Sequence, residues 1–143
     1  MTEMLGQYTH NLDQKNRLAI PAKLREALGE SFVLCMAANG DRCLFAYSLE
    51  NWQILMDKLN DRPASRQLTM LQRRVHKNAE MVEPDKQGRI TIPPRFMEFA
   101  GFDSAVFLLG AGKRAELWAP AQWQRMEETC DSMGDPLLID FAF

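Results

Sequence analysis

The chain is poor in the residues that build metal centres, disulfide frameworks and membrane spans. Its three cysteines, Cys35, Cys43 and Cys130, are odd in number and widely separated, and no Cys-x-x-Cys pair occurs. That pattern argues against a disulfide scaffold and a zinc site, and leaves ordinary reduced thiols. The two histidines, His10 and His76, are far apart and lack ligand-spaced partners, so no metal site is expected. No Gly-x-Ser-x-Gly or Cys/His arrangement is present, so no catalytic residue, cofactor or small-molecule substrate is expected. Gly110-Ala111-Gly112-Lys113-Arg114 has a superficial likeness to a phosphate-binding loop. That pattern needs glycine where Phe107 stands and Ser or Thr where Arg114 stands, so it is rejected. Apolar runs are too short to cross a bilayer, and the first residues lack a basic-then-apolar signal pattern. A cytoplasmic location without a membrane partner is the default expectation.

An excess of positive charge is also missing, since the formal net charge is −2. Its distribution is uneven. Residues 127–143 hold five acidic residues and no Lys or Arg, whereas residues 1–126 hold 17 basic and 14 acidic side chains. The body is mildly basic and the tail acidic, and local clustering matters more than the total. At 143 residues the chain is one compact domain or two very small ones. Two halves of that size bury too little surface to stand apart comfortably, so a shared core is expected.

What the chain does have is a repeat. Residues 13–29, from Asp13 to Gly29, recur without a gap as residues 85–101, from Asp85 to Gly101, at an offset of 72. A repeat of this length points to a duplicated unit. Each copy opens on an aspartate and a short polar loop. Gly88 in the second loop takes φ > 0 freely, and Asn16 in the first is the next most tolerant residue type, so tight turns are expected. Leu18 and Ile20, and Ile90 and Ile92, then alternate with small or polar residues, the period of a half-buried strand. Pro21 and Pro93 end those strands and suit the first position of a helix. Leu24, Ala27 and Leu28, and Phe96, Phe99 and Ala100, follow at helical spacing before Gly29 and Gly101.

The flanks read as further elements. Tyr8, His10 and Leu12 alternate ahead of the first copy, so a hairpin is expected around Asp13–Arg17, and residues 79–84 mirror 7–12. Phe32–Met36 and Cys43–Tyr47 form a second hairpin across Asn39-Gly40, matched by Val106–Leu109 and Ala115–Trp118. Ser48 caps a helix carrying Trp52, Leu55, Met56 and Leu59, and Ser65 caps one carrying Leu68, Leu71 and Val75. Pro120 starts a last helix with Trp123 and Met126, beyond which the chain is expected to lack fixed structure from Asp131 to about Pro136.

Arg17 and Arg89 are the candidate functional residues. Each follows a tight loop and precedes a strand. A guanidinium there bonds bidentately to phosphate or guanine, or it pairs with Asp13 or Asp85 across the turn, and the residues alone leave both readings open. Lys15, Lys23, Arg25, Lys86 and Arg95 surround them. Lys15 lies in the loop itself, whereas Lys23 and Arg25 fit a solvated helix face equally well. Asn16 brings an amide able to bond adenine or phosphate. Asp13 and Asp85 are expected to fix the loops through backbone N–H groups. Arg66, Arg73, Arg74 and Lys77 form a second basic group, read first as a wet face.

Asp-x-x-Gly-Arg followed by an apolar-x-Ile-Pro strand and a short helix resembles the AbrB-type swapped-hairpin DNA-binding domains. Two copies in a chain of this length, with Gly6-Gln7-Tyr8-Thr9-His10 before the first and Glu116-Leu117-Trp118 after the second, are similar to the MraZ family of bacterial transcriptional regulators. The likeness covers roughly residues 4–126, with Asn16 standing where the family carries glycine. It implies an α/β fold of two swapped-hairpin β units with short helices, related by a pseudo-twofold repeat. The expected divisions are residues 4–60, a helical connection at 61–78, a second unit at 79–126 and a tail at 127–143. It further implies that Arg17, Lys15, Asn16, Arg89 and Lys86, with Lys23 and Arg25 nearby, contact double-stranded DNA, while Asp13, Asp85 and Gly88 shape the turns. The partners implied are promoter direct repeats at the division and cell-wall gene cluster and further copies of the chain in a ring, on the nucleoid. The rival expectation is an antitoxin-like interaction module gripping a partner with the apolar tail Leu137-Leu138-Ile139-Asp140-Phe141-Ala142-Phe143.

Overall fold

The computed structural model describes residues 3–133. The first copy contributes β1 (Gln7–Asn11), β2 (Arg17–Ala19), α1 (Ala22–Leu28), β3 (Phe32–Met36), β4 (Leu44–Ser48) and α2 (Leu49–Asn60). Helix α3 (Arg66–Lys77) leads into β5 (Ala79–Val82), β6 (Arg89–Thr91), α4 (Pro94–Ala100), β7 (Ala105–Gly110), β8 (Ala115–Trp118) and α5 (Pro120–Met133). The caps are those expected from sequence. Ser48 accepts a bond from the Asn51 N–H and Ser65 one from the Leu68 N–H. Gly101 ends α4 in the left-handed region at φ 69°.

The two copies are interleaved. Six strands form one antiparallel sheet in the order β1-β7-β8-β4-β3-β5, and β2 and β6 form a separate two-stranded ribbon. Strand β1 pairs with β7 of the second copy, and β5 pairs with β3 of the first, so the pairings exchange under a pseudo-twofold operation. The β2–β6 and β4–β8 pairs map onto themselves and lie on its axis. This corrects the expectation of a hairpin around Asp13–Arg17. The tight turn is present, but β1 and β2 leave it for different sheets, each laddered to the other copy. A three-residue strand such as β2 is too short to hold a hairpin alone, and crossing to the partner copy buries Leu18 completely.

The sheet is covered on both faces, as the unbroken burial of β3, β4 and β8 requires. Leu34, Leu44, Ala46, Val106, Leu108 and Leu117 face the ribbon and short helices, where they meet Leu18, Ile20, Leu24, Ile90, Ile92 and Phe96. On the opposite face Cys35, Cys43, Phe45, Tyr47, Phe107 and Trp118 lie beneath Trp52 and Trp123. Burial holds Cys35 as a thiol by pushing its pKa up to about 12, and raises that of Cys43 in the same way. One buried charge breaks this second cluster. Glu116 accepts bonds from Arg114 Nε at 3.0 Å and Trp118 Nε1 at 3.0 Å, so it is paired rather than orphaned. The Gly110–Arg114 stretch is the β7–β8 turn, closed by Ala111 N–H to Arg114 O.

Two expectations about helices change. The last helix runs on through the acidic stretch to Met133, past the point at Asp131 where order was expected to stop. Residues 134–143, with the apolar tail, lie outside the described residues. In α2 only Met56 of the expected apolar face is fully buried, and Leu55 is 37% exposed. No helix among the described residues is long and apolar enough to cross a membrane.

Candidate nucleic-acid interface

The ribbon decides where the candidate residues point. Arg17 stands opposite Thr91, and Ala19 opposite Arg89. Leu18 and Ile90 are buried in the core, so Arg17, Ala19, Arg89 and Thr91 share the outer face. Each end is tied to the other copy's loop. Ile20 N–H donates to Gly88 O and Ile92 N–H to Asn16 O, both at 2.9 Å. Asn16 takes φ 57° and Gly88 φ 77°, so asparagine fills the left-handed position that glycine fills in the second copy.

The aspartates anchor the loops as expected. Asp13 Oδ1 accepts the backbone N–H groups of Lys15 and Arg17 at 2.9 Å, and Asp85 Oδ1 those of Gln87 and Arg89 at 2.9 Å. The same carboxylates hold the arginines. Arg17 Nε donates to Asp13 Oδ2 at 2.6 Å, and Arg89 Nε to Asp85 Oδ2 at 3.0 Å. Arg89 Nη1 also approaches Asp13 Oδ2 at 3.8 Å, drawing the two guanidiniums together across the ribbon. The pairing reading of the arginines is therefore realised. It does not consume them, because the close contacts use Nε. The Nη groups that form a bidentate fork make no hydrogen bond among the described residues.

The Arg17 backbone N–H holds the Asp13 carboxyl down, to about 2 against an ordinary 3.8, with the Arg17 guanidinium adding to it. The Asp85 carboxyl is lowered likewise, first by the Arg89 backbone N–H. A carboxyl depressed in the folded state stabilises it above the unfolded pKa and loses that contribution as pH falls through the folded one. Stability should therefore decline between about pH 4 and pH 2. Thermal melts of wild type and Asp13→Asn across that range should converge toward acid, and curves running parallel would remove Asp13 as the titrating group.

The other basic residues divide. Lys15 and Lys86 are exposed on the two loops, and Lys23 is exposed on α1. Arg25, half-buried on α1, packs against the second loop. Its Nε donates to Ile20 O at 3.0 Å, and its guanidinium lies where a Cβ on Gly88 would sit, 2.7 Å from Cζ. It braces the second loop, a role with no local signal in the sequence. Arg95 turns away to Lys77 O at 2.9 Å and stacks over Phe96 at 4.7 Å. The cleft beside the second loop, about 760 Å³, sets Glu26, Glu30, Glu83 and Asp85 against Arg25 and Lys86. Acidic residues dominate it, so an anionic ligand is better met by the ribbon's outer face than by this cleft.

Interleaved hairpin units around a shared ribbon define the class as an AbrB-like swapped-hairpin protein with a duplicated unit. The family model described as "MraZ protein, putative antitoxin-like" matches residues 4–75 and again 76–135. A protein named transcriptional regulator MraZ from Acetivibrio thermocellus is 42% identical over 120 residues, covering 83% of this chain and 82% of that one. The protein of that name from Heliobacterium modesticaldum is 41% identical over 141 residues, covering 96% and 97%. The one from Lachnoclostridium phytofermentans is 35% identical over 136 residues, covering 92% and 95%. The chain belongs to the MraZ family.

Proposed function

We propose that this protein is a sequence-specific transcriptional regulator that reads double-stranded DNA with the outer face of the β2–β6 ribbon. The observation that carries the reading is the pair of carboxylate-held arginines, Arg17 and Arg89, facing outward on one two-stranded ribbon. The major groove admits such a ribbon, and an arginine fork matches guanine O6 and N7. Lys15 and Lys86 on the loops, with Asn16, would add backbone and base contacts, and Lys23 lies near enough in sequence to extend them. Arg25 supports the second loop from behind.

One ribbon carries little net charge, because Asp13 and Asp85 offset part of the cationic face. Several copies in a ring, matched to short direct repeats upstream of the gene's own promoter, would bind through effective concentration. The target proposed is the division and cell-wall gene cluster, on the nucleoid.

The test is a mobility shift on the upstream region with wild type and Arg17→Ala. Loss of one fork should lower affinity by about 5- to 150-fold, from about 1–3 kcal/mol per bidentate pair. The melting temperature should move little, since Asp13 keeps its backbone N–H partners and a half-exposed ion pair contributes little. Undiminished binding by a folded Arg17→Ala would overturn the assignment of the ribbon. Absence of binding by wild type at low salt would favour the interaction-module reading, tested by capture of one small stoichiometric partner through residues 137–143.

A further inference from the structure

We infer that α3 of one copy docks on α5 of the next, basic face against acidic face. This rests on the oligomeric reading above and names the surfaces that build it. Arg66, Met70, Arg73, Arg74 and Lys77 are spaced to form one stripe along α3, and all are exposed. The helix carries no acidic residue, and none of those four cations forms an ion pair among the described residues. On α5, Gln124, Glu127, Glu128 and Asp131 form an exposed stripe at the same helical spacing, with Arg125 to one side. Glu127, Glu128 and Asp131 likewise lack an ion-pair partner among the described residues.

The two stripes do not meet within one chain. Helix α3 lies against α2, through Gln72 Nε2 to Asn60 at 2.9 Å, and over β3, where Leu71 and Val75 share a cavity with Cys35. Helix α5 lies over β7 and β8, where Trp123 stacks on Phe107 at 5.1 Å. In the order β7-β8-β4-β3 these supports fall on opposite sides of the sheet's midline. Complementary faces at two ends of one molecule make a head-to-tail contact. Such a contact leaves one face unused at each end of a run of subunits until the run closes into a ring. DNA is the other polyanion open to α3. Met70, 44% exposed in the middle of the stripe, fits a protein surface better than a phosphate backbone, and the acidic face of α5 would still lack a partner.

The test uses the full chain without DNA, in sedimentation velocity. Wild type should assemble. Arg73→Glu with Arg74→Glu should raise the dissociation midpoint at least tenfold, and Glu127→Lys with Glu128→Lys should do the same. Combining all four reversals should restore the wild-type sedimentation coefficient, which mere unfolding of either pair variant would not permit. Pair variants that assemble like wild type, or a four-fold variant that stays dissociated, overturn the interface. So does an Arg73→Glu/Arg74→Glu chain that assembles normally but loses its DNA shift, which would make α3 a DNA surface. A monomeric wild type overturns both this contact and the ring, while the Arg17→Ala shift still judges the ribbon separately.

Discussion

A chain carrying Arg17→Ala and Arg89→Ala together should lose roughly 30- to 25,000-fold in affinity for its upstream DNA and stay folded. The range takes about 1–3 kcal/mol for each bidentate contact and adds two of them. The fold should survive because the aspartates keep their other partners. Asp13 still receives the backbone N–H groups of residues 15 and 17, and Asp85 those of residues 87 and 89. Leu18 and Ile90, which fasten the ribbon to the core, are untouched. The lysine version, Arg17→Lys with Arg89→Lys, separates charge from geometry. It keeps two cations but not the planar fork. If specific binding falls as with alanine, the forks read bases. If only the alanine version falls, the pair acts as charge on phosphate, and the salt slope should drop by about two in that version. Full affinity in the alanine version would remove the ribbon as the reader.

Gly110→Ala should be the most damaging small change, at about 3–6 kcal/mol and roughly 10–25 °C in melting temperature. A Cβ there would stand 2.4 Å from the Leu5 nitrogen, against backbone that cannot yield as a side-chain tip does. The N-terminal segment must leave. With it go the Met4–Gly112 bridge, bonded both ways at 2.8 Å, and the Gly110 N–H to Gly6 O bond at 2.8 Å. Met4, 1% exposed, would also lose its place in the core. Deleting residues 1–5 should cost a similar amount and make Gly110→Ala nearly neutral, since both changes remove the same contact. Additive losses would mean that the alanine acts on β7 itself.

Much of this architecture was legible because the signals are local. The alternation of Leu18 and Ile20, the prolines after them and the Ser48 and Ser65 caps name strands and helices without reference to the rest of the chain. Asp13 and Asp85 were readable as loop anchors for the same reason, since their partners lie two and four residues away. What failed was anything resting on a distant partner. The turn at Asp13–Arg17 was visible, but nothing within it says that β1 and β2 part company. Arg25 looked like one more surface cation, and its support of Gly88 spans 63 residues of chain. The acidic stretch after Met126 read as tail because charge marks solvent exposure, and an exposed helix face has the same composition.

The sequence by itself determined the duplicated unit, the kind of each element and the identity of the loops, because turn chemistry and apolar period act over a few residues. Only the tertiary structure decided which strand pairs with which. β2 finds β6, and β1 finds β7, because strands this short gain burial only by crossing to the other copy. That exchange brings Arg17 and Arg89, 72 residues apart, onto one face beside one aspartate. The residues of the site were written locally, and their meeting followed from the shared core.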